Sequence, residues 1–289
     1  MNQTIVLSAH AKVNLVLDVI ERLMDGYHRM DMLNRSVDLC DELYIRRSSS
    51  PTHTLTTDSM LLQLPHNLVL KAAQSVELFL GEDLPPMDFT LHKKIPAMAG
   101  LGGGSSDAAA AIIGINELLD LKLTGEEMAQ IGIAVGADVP FCLVGGAARV
   151  TGIGEGIRPV TDACRYTMVI LMPDRGRSTK AAFEELAYYD PVHPDVGLAE
   201  RCLTAGDLNG LAGCLGNVLY NPETDLRTRD LMEQLKRDGA RGACMSGSGS
   251  AVFGLFDDAE RAANCVKKNH CDRLSAYVCK PVPQGVGIQ

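Results

Sequence analysis

The chain has 289 residues, a formal net charge of −9 and 46% apolar residues. These values exclude disorder as the main state, and at roughly 150 residues per domain they leave room for two cores. Residues 1–160 carry 12 Lys and Arg against 19 Asp and Glu, the remainder 15 against 17. An acidic chain with no basic stripe is poorly suited to polyanionic surfaces, which excludes nucleic acid and anionic membranes as partners.

The opening Met1-Asn2-Gln3-Thr4-Ile5-Val6-Leu7 has no positive start and no long apolar run, so no signal peptide is expected. The weakly charged stretch from Met128 to Ala148 is broken by Asp138, Pro140 and several glycines, unlike a membrane span. Nine cysteines are scattered without a C-x-x-C pair, and Cys265, His270, Cys271 and Cys279 lack a structural zinc spacing. They read as buried thiols of a cytoplasmic protein.

In chain order, Thr4–His10 and Val13–Ile20 alternate as strands, the turn Asp25-Gly26 follows, and Glu42–Arg47 is a further strand. After Pro65, Asn67–Leu80 has helical spacing with Gly81 as its stop. Strand Phe89–His92 leads through Lys93-Lys94-Ile95-Pro96 into a glycine-rich loop and an Ala-rich helix to about Leu119. Thr124-Gly125-Glu126-Glu127 has the form of a capping box for a helix ending near Gly136. Strands at Ala147–Thr151 and Thr167–Met172 flank a composition shift at Pro159–Arg165, which places a boundary between domains 1–160 and 161–289. Helices at Thr179–Ala187, Val196–Thr204, Asp225–Arg237 and Ala259–Lys268, with strands Ala251–Phe256 and Ser275–Cys279, complete the second part. Without regular βαβ alternation the class is α+β.

The loop Gly100-Leu101-Gly102-Gly103-Gly104-Ser105-Ser106 joins a strand to a helix. Glycines let backbone N–H groups converge on an anion, and the helix adds its positive end. Ser105 and Ser106 are placed to cap the helix or bind phosphate oxygens, and Lys93 and Lys94 to supplement them. No lysine follows the glycines as in a Walker loop, and the dinucleotide fingerprint fails at Ser105.

The pattern P-x-x-x-G-L-G-G-G-S-S resembles the second motif of the GHMP kinase superfamily, kinases of small molecules such as galactose, homoserine and mevalonate. Ala11-Lys12-Val13-Asn14-Leu15, Asp25-Gly26-Tyr27-His28, Gly136-Ala137-Asp138-Val139-Pro140-Phe141 and Met245-Ser246-Gly247-Ser248-Gly249-Ser250 extend the resemblance, in family order, over residues 11–256. Together they look like the branch acting on a cytidylyl-linked methylerythritol in isoprenoid synthesis. Met98, in a stretch often richer in glycine, and Cys142, where an apolar residue is common, are small departures that remove no charged group.

The resemblance implies a two-domain fold, an N-terminal ribosomal-protein-S5-like domain followed by a ferredoxin-like one. It implies ATP and cytidylyl methylerythritol as substrates, Mg²⁺ carried with the nucleotide, and a monomer or weak homodimer. It makes Asp138 the general base and Lys12 its partner, a pair that a structural salt bridge would also explain. The segment Pro96-Ala97-Met98-Ala99 and the loop through Ser106 become the ATP phosphate site, with Asn67 near the adenine unless it merely caps its helix. Asn14, Tyr27 and His28 are assigned to the second substrate, with Phe183 as a further stacking face. Asp107 complements the helix dipole but would repel phosphate unless Mg²⁺ intervenes. A mevalonate- or homoserine-type kinase, or a nucleotide-binding module without catalysis, are the competing readings.

Overall fold

The computed structural model describes residues 3–24, 26–58, 67–174 and 176–289. Asp25 of the expected turn and Pro65 lie outside them. The chain opens with β1 (Thr4–Arg22) and β2 (His28–Arg47), an antiparallel pair 19 and 20 residues long. β1 is one strand where the alternation suggests two, because nearly every residue from Leu7 to Val19 is buried or half-buried on both faces. Register shifts between His10 and Lys12, Asn14 and Val16, and Val19 and Glu21 bend it.

Next come β3 (Thr54–Thr57), α1 (Leu68–Leu80), β4 (Met87–His92), α2 (Gly103–Leu119), α3 (Gly125–Val135) and α4 (Val139–Val144). Asn67 caps α1 by accepting the Val69 N–H at 2.9 Å, and Gly81 ends it at φ 71°. The capping box at Thr124 and Glu127 is complete. The first part ends with β5 (Ala147–Gly152) and β6 (Gly156–Pro159). The second has β7 (Thr167–Pro173), α5 (Thr179–Glu185), α6 (Val196–Ala205), α7 (Leu208–Cys214), β8 (Gly216–Asn217), α8 (Leu226–Arg237), β9 (Gly242–Met245), β10 (Val252–Phe256), α9 (Ala259–Asn269), β11 (Leu274–Cys279) and β12 (Val286–Ile288). Past Glu185 the expected helix tightens to a 3-10 turn over Leu186–Tyr188.

Among the described residues these strands form two sheets. One contains β1 to β6 with β8 and β12, and the other runs β11-β7-β10-β9, antiparallel throughout. The second sheet lies wholly beyond residue 160, but β8 and β12 return to pair with β1. Helix α2 lies close on the first sheet, where Ala108–Ala111 and Ile112 are buried with Leu7, Ile45 and Phe89. A Cβ on Gly114 would overlap the Ile45 side chain, so this helix position accepts no larger residue without displacement. The opposite face of β1, at Ala11, Val13 and Leu15, is buried with Ile170, Phe253 and Leu255 of the second sheet. The two halves thus share β1 as a common wall.

Arg35 of β2 fastens this seam. Its Nε donates to Asp162 Oδ2 at 2.8 Å and its Nη1 to the Val282 carbonyl at 2.6 Å, while the Tyr166 hydroxyl reaches the same Asp162 oxygen at 3.0 Å. Burial, then the Asp162 charge, push the Tyr166 hydroxyl far above its ordinary value, so it stays a donor. Arg35→Ala should leave the buried Asp162 charge without a cation and cost about 3 kcal/mol or more, read as a lowered urea midpoint at unchanged slope.

Candidate active site

The glycine loop is shaped by what lies against it. Gly100 and Gly102 have φ of 76° and 69°, a region that favours glycine. The Leu101 carbonyl between them accepts the Lys12 N–H at 2.9 Å, and the Ala99 carbonyl accepts the Ala251 N–H at 3.1 Å. A Cβ on Gly100 would overlap the Ser246 carbonyl oxygen, and one on Gly102 would lie 2.8 Å from Cγ of Lys12. These glycines therefore let two backbone turns and a lysine stem meet at van der Waals distance.

Helix α2 begins at Gly103 with Gly102 as its N-cap and no side-chain cap. Capping by Ser105 or Ser106, an expectation from sequence, is not what the structure has. Ser106 is buried and donates to the His10 carbonyl at 2.6 Å. Its hydroxyl also lies 3.3 Å from Cys142 Sγ. The first-turn N–H groups of Gly103, Gly104 and Ser105 have no intrahelical acceptor, and these residues line a cleft of about 1390 Å³. Pro96 through Ser105 all border this cleft and Ser106 does not.

Lys12 and Asp138 face each other across the same cleft. Lys12 is 4% exposed, and its Nζ lies 3.3 Å from Asp138 Oδ2. The ammonium also donates to Asn14 Oδ1 at 2.8 Å, as the shared strand face of residues 12 and 14 suggests. Asn14 is fixed in turn, its Nδ2 donating to Asn34 Oδ1 at 2.7 Å and its backbone N–H to Ser246 Oγ at 3.3 Å. Asp138 sits immediately before α4 and is about one-third exposed, open toward the cleft. Sequence reading missed Asn34, which stands opposite Asn14 in the β1–β2 register. It also missed Asn217, whose Nδ2 holds the Met245 and Gly247 carbonyls at 2.9 and 2.8 Å.

At the far end of the cleft the His28 ring stacks on Phe183 with centroids 4.6 Å apart and planes at 25°. Burial, then the nearby Arg22 charge, hold His28 below the ordinary imidazole value. Arg22 is its register partner across the hairpin. Tyr27 lines the cleft and is 57% exposed. Asn67 is occupied as the cap of α1 and does not border the cleft, whereas its neighbour Leu68 does. Ser248 of the second-sheet turn meets Thr179 hydroxyl to hydroxyl at 3.1 Å, tying α5 to the glycine turn.

Of the two lysines before the loop, Lys94 turns outward to Glu42 at 2.7 Å, contrary to the expectation that it faces the site. Lys93 borders the cleft but is bonded to Asp41 and, at 2.6 Å, to Asp107. Burial, with the Asp41 charge adding to it, pushes Asp107 up to about 8 against the pull of Lys93. Asp107 therefore points at Lys93 rather than serving the helix dipole. Among the described residues no three His, Cys, Asp or Glu side chains gather as a metal site.

The chain matches two family patterns, the GHMP kinases N terminal domain over residues 67–146 and the GHMP kinases C terminal domain over 195–273. A 4-diphosphocytidyl-2-C-methyl-D-erythritol kinase of Clostridium novyi is 35% identical over 95% of this chain and 99% of its own. One of Citrifermentans bemidjiense is 39% identical over 89% and 91%. Among solved structures, a 4-(cytidine 5'-diphospho)-2C-methyl-D-erythritol kinase superposes with a TM-score of 0.75 at 28% identity, covering 96% of this chain and 99% of that one. The homoserine kinase of Cytophaga hutchinsonii gives 0.80 at 22% identity over 100% and 98%, a likeness of fold.

Gly102→Ala places a Cβ against the Lys12 stem in a backbone region that costs about 1–2 kcal/mol for a side chain. Turnover should therefore fall by far more than a melting shift of a few degrees accounts for. Comparing the thermal midpoint with steady-state rates on one preparation checks this.

Proposed function

The chain belongs to the GHMP kinase family, and from that premise we propose that it transfers the γ-phosphoryl group of ATP to the 2-hydroxyl of 4-diphosphocytidyl-2-C-methyl-D-erythritol, in the methylerythritol phosphate route to isoprenoids. The observation that carries this reading is Lys12 Nζ at 3.3 Å from Asp138 Oδ2, beside the uncapped first turn of α2 and in one cleft with the His28–Phe183 stack. The relatives' names support the choice of substrate.

The N–H groups of Gly103, Gly104 and Ser105 receive the phosphates of ATP, with Pro96–Ser106 as the enclosing loop. Asp138 takes the hydroxyl proton as the substrate oxygen bonds to the γ-phosphorus, and the bond to the β–γ bridging oxygen breaks to release ADP. Lys12 stabilises the charge developing on the substrate's hydroxyl oxygen, and Asn14 holds the ammonium in place. Tyr27 and His28 receive the cytosine, with Phe183 steadying the imidazole. A neutral imidazole offers a lone pair to the exocyclic amine of cytosine. Mg²⁺ would be carried on the nucleotide phosphates and would neutralise their charge there. The Tyr27–His28 pocket would have no use in a kinase of mevalonate or homoserine.

The boundary at 160/161 is part of the same proposal, supported by the second sheet lying wholly beyond it. The same proposal includes a monomer or weak homodimer. No helix among the described residues is long and apolar enough to cross a membrane. Nine unpaired cysteines support a reducing, cytoplasmic setting.

Asp138→Asn should lower kcat by about 10²–10⁴-fold while leaving ATP affinity within a few-fold, measured by single-turnover kinetics and nucleotide titration. Near-normal turnover in the folded variant removes Asp138 as base. His28→Ala should raise KM for the cytidylyl substrate far more than KM for ATP; equal effects remove its assignment. Because His28 is held below the ordinary imidazole value, KM for the cytidylyl substrate should be flat from alkaline pH down to the ordinary imidazole range. It should rise only on the acid side, as the ring gains its proton and loses the lone pair.

A further inference from the structure

Two buried carboxylates and one ammonium that borders the cleft lie beside the glycine loop, an excess of one negative charge when all are ionised. Lys93 is shared by Asp41 and Asp107. Asp41 is fully engaged, because its second oxygen accepts the backbone N–H groups of Lys94 and Ile95 at 2.5 and 2.8 Å. Asp107 is 2% exposed, and its Oδ1 has no hydrogen-bond partner. A Cβ on Gly103 would lie 3.4 Å from Lys93 Nζ, so an anion on the first turn of α2 rests against this corner.

The other groups around α2 do not supply a second cation. Lys12 of β1 is held by Asn14 and Asp138, and Lys71 of α1 donates to the Val135 carbonyl at 2.7 Å. Burial lowers His10 of β1 toward the neutral ring and pushes the Cys142 thiol of α4 up to about 12. An incoming polyphosphate therefore adds negative charge where two carboxylates already share one ammonium, and the repulsion is relieved by a proton on one of them.

We infer that Asp107 is a positioning residue that takes up one proton from solvent when a nucleoside triphosphate seats on the glycine loop, leaving the Lys93 charge shared between Asp41 and the phosphate. The proton is stabilised by the neighbouring Asp41 carboxylate, which hydrogen-bonds the protonated Asp107 side chain. Burial and the Asp41 charge already raise Asp107 without a ligand, so uptake is confined to pH near and above 8. This rests on reading Gly100–Ser106 as a polyphosphate loop.

The test is isothermal titration of the full chain with a non-hydrolysable ATP analogue and Mg²⁺, in buffers of different ionisation enthalpy at pH 6.5 and 8.5. The expected result is uptake approaching one proton per analogue at pH 8.5 and little at pH 6.5. Affinity should weaken by up to about tenfold per pH unit above the free-state midpoint. Asp107→Asn should bind without uptake and with flat pH dependence; Asp107→Ser serves the same purpose if the first variant folds poorly. Binding without uptake in the wild type, or equal uptake in a folded variant, overturns the inference. Absence of binding overturns the loop reading instead.

Discussion

The cleft depends on one close approach, the backbone of Gly100 lying against the backbone of Ser246. A Cβ on Gly100 would overlap the Ser246 carbonyl, and one on Gly247 would lie 2.9 Å from the Gly100 carbonyl. The contact is held by Ser246 Oγ, which donates to the Gly100 carbonyl at 2.9 Å and accepts the Asn14 N–H at 3.3 Å. Through Asn14 it fixes Lys12, whose own N–H is bonded to the loop at Leu101. Glycine loop, lysine and second-sheet turn are thereby tied together from three distant parts of the chain. Positioning of this kind is the main resource of an enzyme that transfers a phosphoryl group.

Local signals in the sequence were reliable where the physics is local. The helix from Asn67 to Gly81 and the capping box at Thr124 are both present, because each is decided within one helical turn. The long β1 strand shows in the sequence as two pieces, since the register shift between His10 and Lys12 breaks the alternation there. Helix α4 was hidden by Pro140, which is acceptable only because it falls in the first turn. The return of β8 and β12 to β1 is a long-range pairing that no local pattern encodes.

The site was legible to a similar degree. The motifs singled out Lys12, Asn14, His28, Asp138 and the glycines from Gly100 to Gly104, and all of them border the cleft. What the motifs did not reveal was the partner of each group. Asn34 is a site residue only through register, Ser106 serves packing rather than phosphate, and Lys94 turns to the surface. The net charge of −9 describes the outer surface. Two of the lysines lining the cleft, Lys12 and Lys93, are already paired with carboxylates. The uncapped first turn of α2 adds neutral backbone dipoles to the same wall of the cleft.

The most direct test of the central claim is ³¹P NMR of the full chain with ATP and Mg²⁺, offered the cytidylyl methylerythritol, mevalonate and homoserine in parallel. The account predicts a new phosphomonoester resonance and stoichiometric ADP with the cytidylyl substrate alone. Phosphorylation of mevalonate or homoserine at comparable rates, or ADP release that ignores the cytidylyl compound, would contradict it.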